Sequence, residues 1–179
     1  MTTDMTNIKK EDWGNISEKY YDLVLDCFTK NSDTKIPNPN VEHAKFLTAF
    51  LLSKAKKAVR IFSGNLSKEV YEDPRIKEIL SSKEGIKLQI IVEDNAEADL
   101  KEKYPNIEVS ISKLESNEET NRVPGHFIVI DNESYRYEKN HQNGNLTDIK
   151  GTANFNDKKV SSAMVAVFDN LLKPSSKEI

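Results

Sequence analysis

An alternation of short apolar runs with helical patterns in the middle of the chain is the feature that most constrains the fold. Three runs rich in branched aliphatic residues have the length and composition of strands, at 58–62, 87–92 and 107–111. A helical pattern interrupted at Pro74 separates the first two runs, and a shorter one at 96–104 separates the last two. This order of elements predicts right-handed crossovers and a parallel sheet.

The second half of the chain has a different pattern. Two apolar runs, 127–130 and 135–137, are separated only by the polar residues 131–134, which are typical of a hairpin turn. A further extended segment is predicted at 149–155, and a closing helix begins near Asp157. The apolar positions of that helix are Val160, Ala163, Met164, Val167, Phe168, Leu171 and Leu172. The predicted fold class is therefore α/β, with a mixed sheet whose parallel βαβαβ part is followed by an antiparallel hairpin, flanked by helices.

The chain divides at an Asn- and Pro-rich segment. Residues 1–39 are predicted to form an N-terminal arm with one amphipathic helix at 16–28 and a loop or linker at 31–40. The α/β domain then spans 40–173, and 174–179 form a polar tail. Two alternatives stay open for the helix, which either packs on the domain or serves as a partner-binding arm.

Apolar stretches, net charge and cysteine content limit the expected location of the protein and the classes of its partners. The longest apolar stretch, 44–52, is too short to span a bilayer, and the N-terminus lacks a secretory pattern, so a cytoplasmic location is expected. A net charge of −3 does not support coating of nucleic acid, although a local basic patch stays compatible with it. The single cysteine, Cys27, cannot form an internal disulfide and is interpreted as a buried inert thiol.

Cofactor and metal motifs are absent from the sequence. There is no Cys/His cluster with ligand spacing and no dinucleotide fingerprint, so neither a metal nor a cofactor is predicted. His43 and His141 have no ligand spacing. The turn at 63–65 supplies one glycine after a strand and is a minor candidate for a phosphate cradle.

Three strings in the second half carry the strongest functional signal: Pro-Gly-His-Phe-Ile-Val-Ile-Asp at 124–131, Tyr-Arg-Tyr-Glu at 135–138 and Gly-Thr-Ala-Asn-Phe-Asn at 151–156. Together with the order of elements, they resemble one half of a phospholipase D superfamily protein over residues 40–173. The family carries His-x-Lys-x4-Asp on a strand, and then a Gly-Ser-x-Asn-Phe-like turn. The resemblance implies a phosphodiesterase mechanism with an imidazole nucleophile, and a homodimer that joins two half-sites.

Aligned on Asp131, the sequence departs from the family pattern at the reactive positions. Pro124 falls where the nucleophilic histidine is expected, and His126 falls where the lysine is expected. If a bulge instead lets His126 act as nucleophile, Ile128 occupies the lysine position. We therefore predict a catalytically degenerate domain that acts as a binding or regulatory module, for a phosphate-containing ligand or a protein partner. The alternative is a phosphodiesterase or nuclease, active as a homodimer, with His126 as nucleophile and acid.

The residues also predict a ligand site without the family pattern. His126 begins a strand, and Arg136 and Glu138 share one face of the next, so these side chains and Asn154 are expected to converge on a small anionic group. The alternative is a cross-strand ion pair on a solvated sheet face, with His126 only starting a strand. The predicted site comprises two sets. Catalytic candidates are His126 and Asn154, and ligand-binding candidates are Arg136, Glu138, Thr152 and Asp131.

Overall fold

Seven strands of the described chain form one mixed sheet. The computed structural model describes residues 8–64, 66, 68–92, 103–114, 125–139 and 151–172. After a 3-10 turn at Lys10–Asp12, the elements are α1 (Glu18–Thr29), β1 (Ile36–Asn38), α2 (Val41–Lys54), β2 (Ala58–Ser63), α3 (Lys68–Tyr71), α4 (Pro74–Ser81), β3 (Lys87–Val92), β4 (Glu108–Lys113), β5 (Gly125–Ile130), β6 (Ser134–Lys139), β7 (Gly151–Asn154) and α5 (Lys158–Leu171). The strand order is β1-β7-β6-β5-β2-β3-β4.

The strand directions confirm the predicted fold class. β2, β3 and β4 run parallel to one another, and β5 and β6 form an antiparallel hairpin whose first strand pairs with β2. Asp73 caps α4 and Pro74 occupies its first position, so the helical pattern divides there into α3 and α4.

A tight turn joins β5 to β6, as predicted. Asp131 and Asn132 have φ values of 52° and 58°, and the Glu133 N–H donates to the Ile130 carbonyl at 3.0 Å. Positive φ at both central residues defines a type I′ turn, which matches the twist of paired strands. Asp and Asn tolerate this conformation better than other non-glycine residues.

The predicted loop at 31–40 is wrong over three residues. Ile36–Asn38 form the edge strand β1, which pairs antiparallel with β7 through Ile36 and Ala153, Pro37 and Thr152, and Asn38 and Gly151. A proline can lie on an edge strand because the ladder there needs hydrogen bonds on one side only. The segment that resembled a linker is therefore part of the sheet.

The N-terminal helix packs on α2. The rings of Tyr21 and Phe46 lie 5.7 Å apart, and those of Phe28 and Phe50 lie 5.2 Å apart. Cys27 is buried, as predicted, and burial raises the pKa of its thiol. Leu23, an apolar residue within the predicted amphipathic helix, is 40% exposed. The structure thus shows the packed alternative for this helix, while binding of a partner through it stays a prediction.

Helix α5 covers the opposite face of the sheet. Val165 and Phe168 pack in one apolar cluster with Phe62 and Phe127. The predicted stripe is too wide, because Val167 and Leu172 are each 39% exposed and Ala163 is exposed.

Several sequence predictions fall outside the described residues. These are most of the helix at 96–104, residues 149–150 of the last extended segment, Pro124, His141 and the tail at 174–179. Within the described ranges, no helix is both long and apolar enough to cross a membrane.

Candidate functional site

A row of polar residues crosses the sheet where β5 begins. His126 lies opposite Glu138, and Glu138 lies opposite Gly151, which in turn pairs with Asn38. Residues directly opposite each other on antiparallel strands point to the same face, and Arg136 shares this face because it is two positions from Glu138. His126, Arg136 and Glu138 therefore come together as predicted, and we refer to these three as the rim cluster.

Arg136 and Glu138 form a buried ion pair. The Arg136 Nη2 donates to the Glu138 carboxylate, and the two side chains are only 5% and 13% exposed. The pair is within one strand and not across two strands, and it is not on a solvated face. The alternative interpretation of these residues as solvated surface charges is therefore wrong.

Each nitrogen of the His126 ring faces a polar group of the described chain. The Gly64 N–H donates to His126 Nε2 at 3.1 Å, and Nδ1 lies 3.7 Å from Glu138 Oε1. Accepting a hydrogen bond at Nε2 requires a neutral ring with its proton on Nδ1, on the side of the carboxylate. In the turn that was a candidate phosphate cradle, the Gly64 N–H is therefore hydrogen-bonded to the imidazole.

Two tyrosines lie close enough to the ion pair for their ionisation to depend on it. Burial raises the pKa of Tyr20, and the positive charge of Arg136 partly opposes this rise. Burial also raises the pKa of Tyr71, with a smaller lowering by Arg136 and a further rise from Glu138. The Tyr20 hydroxyl donates to the Pro37 carbonyl at 2.6 Å. Helices α1 and α3 therefore contribute to the surroundings of the rim cluster.

Asn38 is the residue of this region that sequence reasoning missed. Its side chain is buried, and neither Oδ1 nor Nδ2 has a hydrogen-bond partner within the described part of the chain. The Nε of Arg136 is likewise buried and unpartnered there. Buried polar atoms are normally paired, so each of these groups calls for an explanation. No local pattern marks Asn38, because its position depends on pairing with β7.

Asn154 and Thr152 do not join the rim cluster. They lie opposite Tyr135 and Tyr137 on β6, which places them on the other face of the sheet from Arg136. The Asn154 amide is also engaged, because Nδ2 donates to the Asp33 carbonyl and Oδ1 accepts from the Asn156 N–H at 2.8 Å. Asn154 connects the end of β7 to the N-terminal region of the chain.

Asp131 is engaged in a backbone clamp. Its Oδ2 accepts from the Lys56 N–H at 2.8 Å, and its Oδ1 accepts from the N–H groups of Lys57 at 2.9 Å and Ala58 at 2.8 Å. The carboxylate thereby ties the β5–β6 turn to the start of β2. Asp131 lies at the opposite end of β5 from His126, so the structure does not bring it to the rim cluster.

No metal centre is evident at this site. Among the described residues, no group of three or more His, Cys, Asp or Glu side chains is placed to hold a metal ion. The described residues offer here an imidazole, a guanidinium paired with a carboxylate, and amide groups.

Comparison of structures places the chain in a fold class. Its similarity to solved structures shows that the chain has a phospholipase D-type fold. It is similar to NucT from Helicobacter pylori, with a TM-score of 0.54 and 17% identity over 78% of this chain and 95% of that protein. It is also similar to Nuc, a phospholipase D family member from Salmonella typhimurium, with a TM-score of 0.52 and 11% identity over 76% of this chain and 93% of that one.

A third similar structure is TrmBL2, an archaeal chromatin protein described as having a novel mode of DNA binding. The TM-score is 0.55 with 11% identity, and the match covers 90% of this chain but 61% of TrmBL2. In sequence comparisons, neither a family model nor a curated protein matches the chain.

Proposed function

We propose that this chain is a catalytically degenerate phospholipase D-like domain that acts as a binding or regulatory module in the cytoplasm. The rim cluster is its ligand site. Residues 40–173 carry most of the domain, and the arm at 1–39 adds the edge strand β1 to its sheet and packs α1 on α2. The other predicted residues then have structural roles away from that site: Asp131 clamps the β5–β6 turn, Thr152 pairs with Pro37 in the sheet, and Asn154 connects β7 to the N-terminal region.

The observation that carries this proposal is the position of the His126 ring. A nucleophilic imidazole needs a free lone pair, and the Nε2 lone pair of His126 accepts the Gly64 N–H. Ile128, two positions on, is fully buried and has no charge to offer a transferring phosphoryl group. The imidazole therefore serves as a structural acceptor.

A hydrolysis assay tests the proposal. With a chromogenic phosphodiester, we expect release of product at the rate of the buffer blank, with and without the His126→Ala substitution. His43→Ala is the matched control, because it removes a half-buried imidazole elsewhere in the chain. Hydrolysis well above the blank that His126→Ala abolishes and His43→Ala leaves intact would show that the domain is an enzyme.

One observation favours the alternative, a phosphodiesterase or nuclease that is active as a homodimer. Glu138 faces Nδ1 of His126, and a carboxylate in this position orients an imidazole for attack through its other nitrogen. This function requires a two-fold dimer in which the two His126 side chains meet at a shared cleft. A monomer in sedimentation equilibrium, at the concentrations used for the assay, would remove it.

Nucleic acid is the less favoured ligand class. TrmBL2 shares the fold and is described as binding DNA, but a common fold at 11% identity does not transfer that property. The net charge of −3 on this chain opposes attraction to a phosphate backbone. The proposed module is therefore not assigned to DNA.

A further inference from the structure

The rim cluster contains one guanidinium and one carboxylate, and their opposite charges offset each other. The guanidinium of Arg136 is in direct contact with the carboxylate of Glu138, and both are largely withdrawn from solvent. His126 adds no charge, because its Nε2 acts as an acceptor. A phosphate entering here would have to share Arg136 with a carboxylate and lie beside that carboxylate. Like charges at close range in a poorly solvated site repel strongly.

The next residue along the row offers hydrogen bonds without charge. A Cβ on Gly151 would lie 3.2 Å from Asn38 Nδ2 and 3.2 Å from the Glu138 Cβ, so the absence of a side chain at Gly151 leaves nothing between the Asn38 amide and the base of the Glu138 side chain. Asn38 is 1% exposed, and within the described ranges neither its donor nor its acceptor has a hydrogen-bond partner. An amide with both atoms unpaired is complementary to a neutral group that also donates and accepts.

We propose that Glu138 is a specificity-determining residue. Its carboxylate offsets the charge of Arg136, so the site disfavours phosphate and favours a neutral group of the amide type. The ligand group enters from the side of Glu138 and His126, whose side chains keep 13% and 20% exposure, and it pairs with the amide of Asn38. This inference rests on the proposed binding function and defines the chemistry of its ligand.

A ligand titration with the uniformly ¹⁵N-labelled full chain tests the inference. Inorganic phosphate and acetamide are the two probes, and the backbone amides of Gly125 and Gly151 and the Asn38 side-chain amide are the reporters. In the wild-type protein, we expect acetamide to shift the Asn38 resonances and phosphate to shift none of the three. In Glu138→Gln, we expect phosphate to bind at least about tenfold more tightly than in the wild type, because Arg136 can then form charge-assisted hydrogen bonds with it.

Two further variants separate a specific effect from a general one. Glu108→Gln makes the same change in net charge on the exposed edge strand β4, where the carboxylate pairs with Lys87 in solvent, and it should gain no phosphate binding. The double variant Arg136→Gln/Glu138→Gln keeps two side chains of similar size without charge. It should not show the tighter phosphate binding expected for Glu138→Gln. Thermal unfolding of each variant confirms that it is folded before the titration is interpreted.

The inference is overturned if wild-type protein and Glu138→Gln bind phosphate equally well at these reporters, or if acetamide leaves the Asn38 resonances unchanged. Either result leaves the non-catalytic binding module standing. His126-dependent hydrolysis would instead remove the proposed function itself, whatever the titration shows.

Discussion

Gly125→Ala is expected to destabilise the protein by at least about 3 kcal/mol, the largest effect among the substitutions considered. A Cβ at this position would lie 2.1 Å from the Glu138 carbonyl oxygen and 2.9 Å from the Tyr137 ring. Both distances are below any acceptable contact, and the first involves backbone, so the β5–β6 pairing itself would have to open. Urea unfolding followed by circular dichroism measures the loss of stability.

Gly14→Ala provides the control. A Cβ there meets no heavy atom within 4 Å, and the stability should stay within about 0.5 kcal/mol of the wild type. If Gly125→Ala were as stable as Gly14→Ala, the close packing of β5 against the end of β6 would be wrong, and the geometry of the rim cluster would be wrong with it.

Asp131→Ala is expected to cost about 2–4 kcal/mol of stability, because one carboxylate accepts from three backbone N–H groups. Alanine also tolerates the left-handed conformation of this turn less well than aspartate, at a cost of about 1 kcal/mol included in that range. The measurement is the midpoint of urea unfolding at unchanged m-value.

Asp131→Asn separates the two contributions. Asparagine keeps the left-handed turn and one acceptor oxygen. Asp131→Asn should therefore lose clearly less stability than Asp131→Ala. Equal stability of Asp131→Ala and the wild type would show that the clamp contributes nothing. A loss of ligand binding without a loss of stability would instead return Asp131 to the ligand-binding role predicted from sequence.

The elements that sequence reasoning found are those with a strong local pattern. The strand predicted at 87–92 coincides with β3, and that at 58–62 lacks only the last residue of β2, because buried parallel strands are continuous apolar runs. The β5–β6 turn was identified from its polar residues, since Asp and Asn are favoured at positive φ. These local signals were sufficient for the fold class.

The elements that sequence reasoning missed depend on distant partners. β1 has three residues, including Pro37, and its extended conformation comes from pairing with residues 151–153 of β7, far along the chain. The same pairing buries Asn38 beside the rim cluster. Asn154 was assigned to the site from the family pattern, but the register with Tyr135 directs it to the other face. A shift of one residue along a strand decides the face, and a single sequence does not fix it.

The central claim is that His126 is not a nucleophile, and trapping of a covalent intermediate tests it most directly. The protein is mixed with excess phosphodiester, quenched in alkali to preserve any phosphohistidine, digested and analysed by mass spectrometry. The predicted result is an unmodified peptide containing His126 at every time point. A phosphorylated His126 that forms and decays with turnover, and is absent from His126→Ala, would contradict the account.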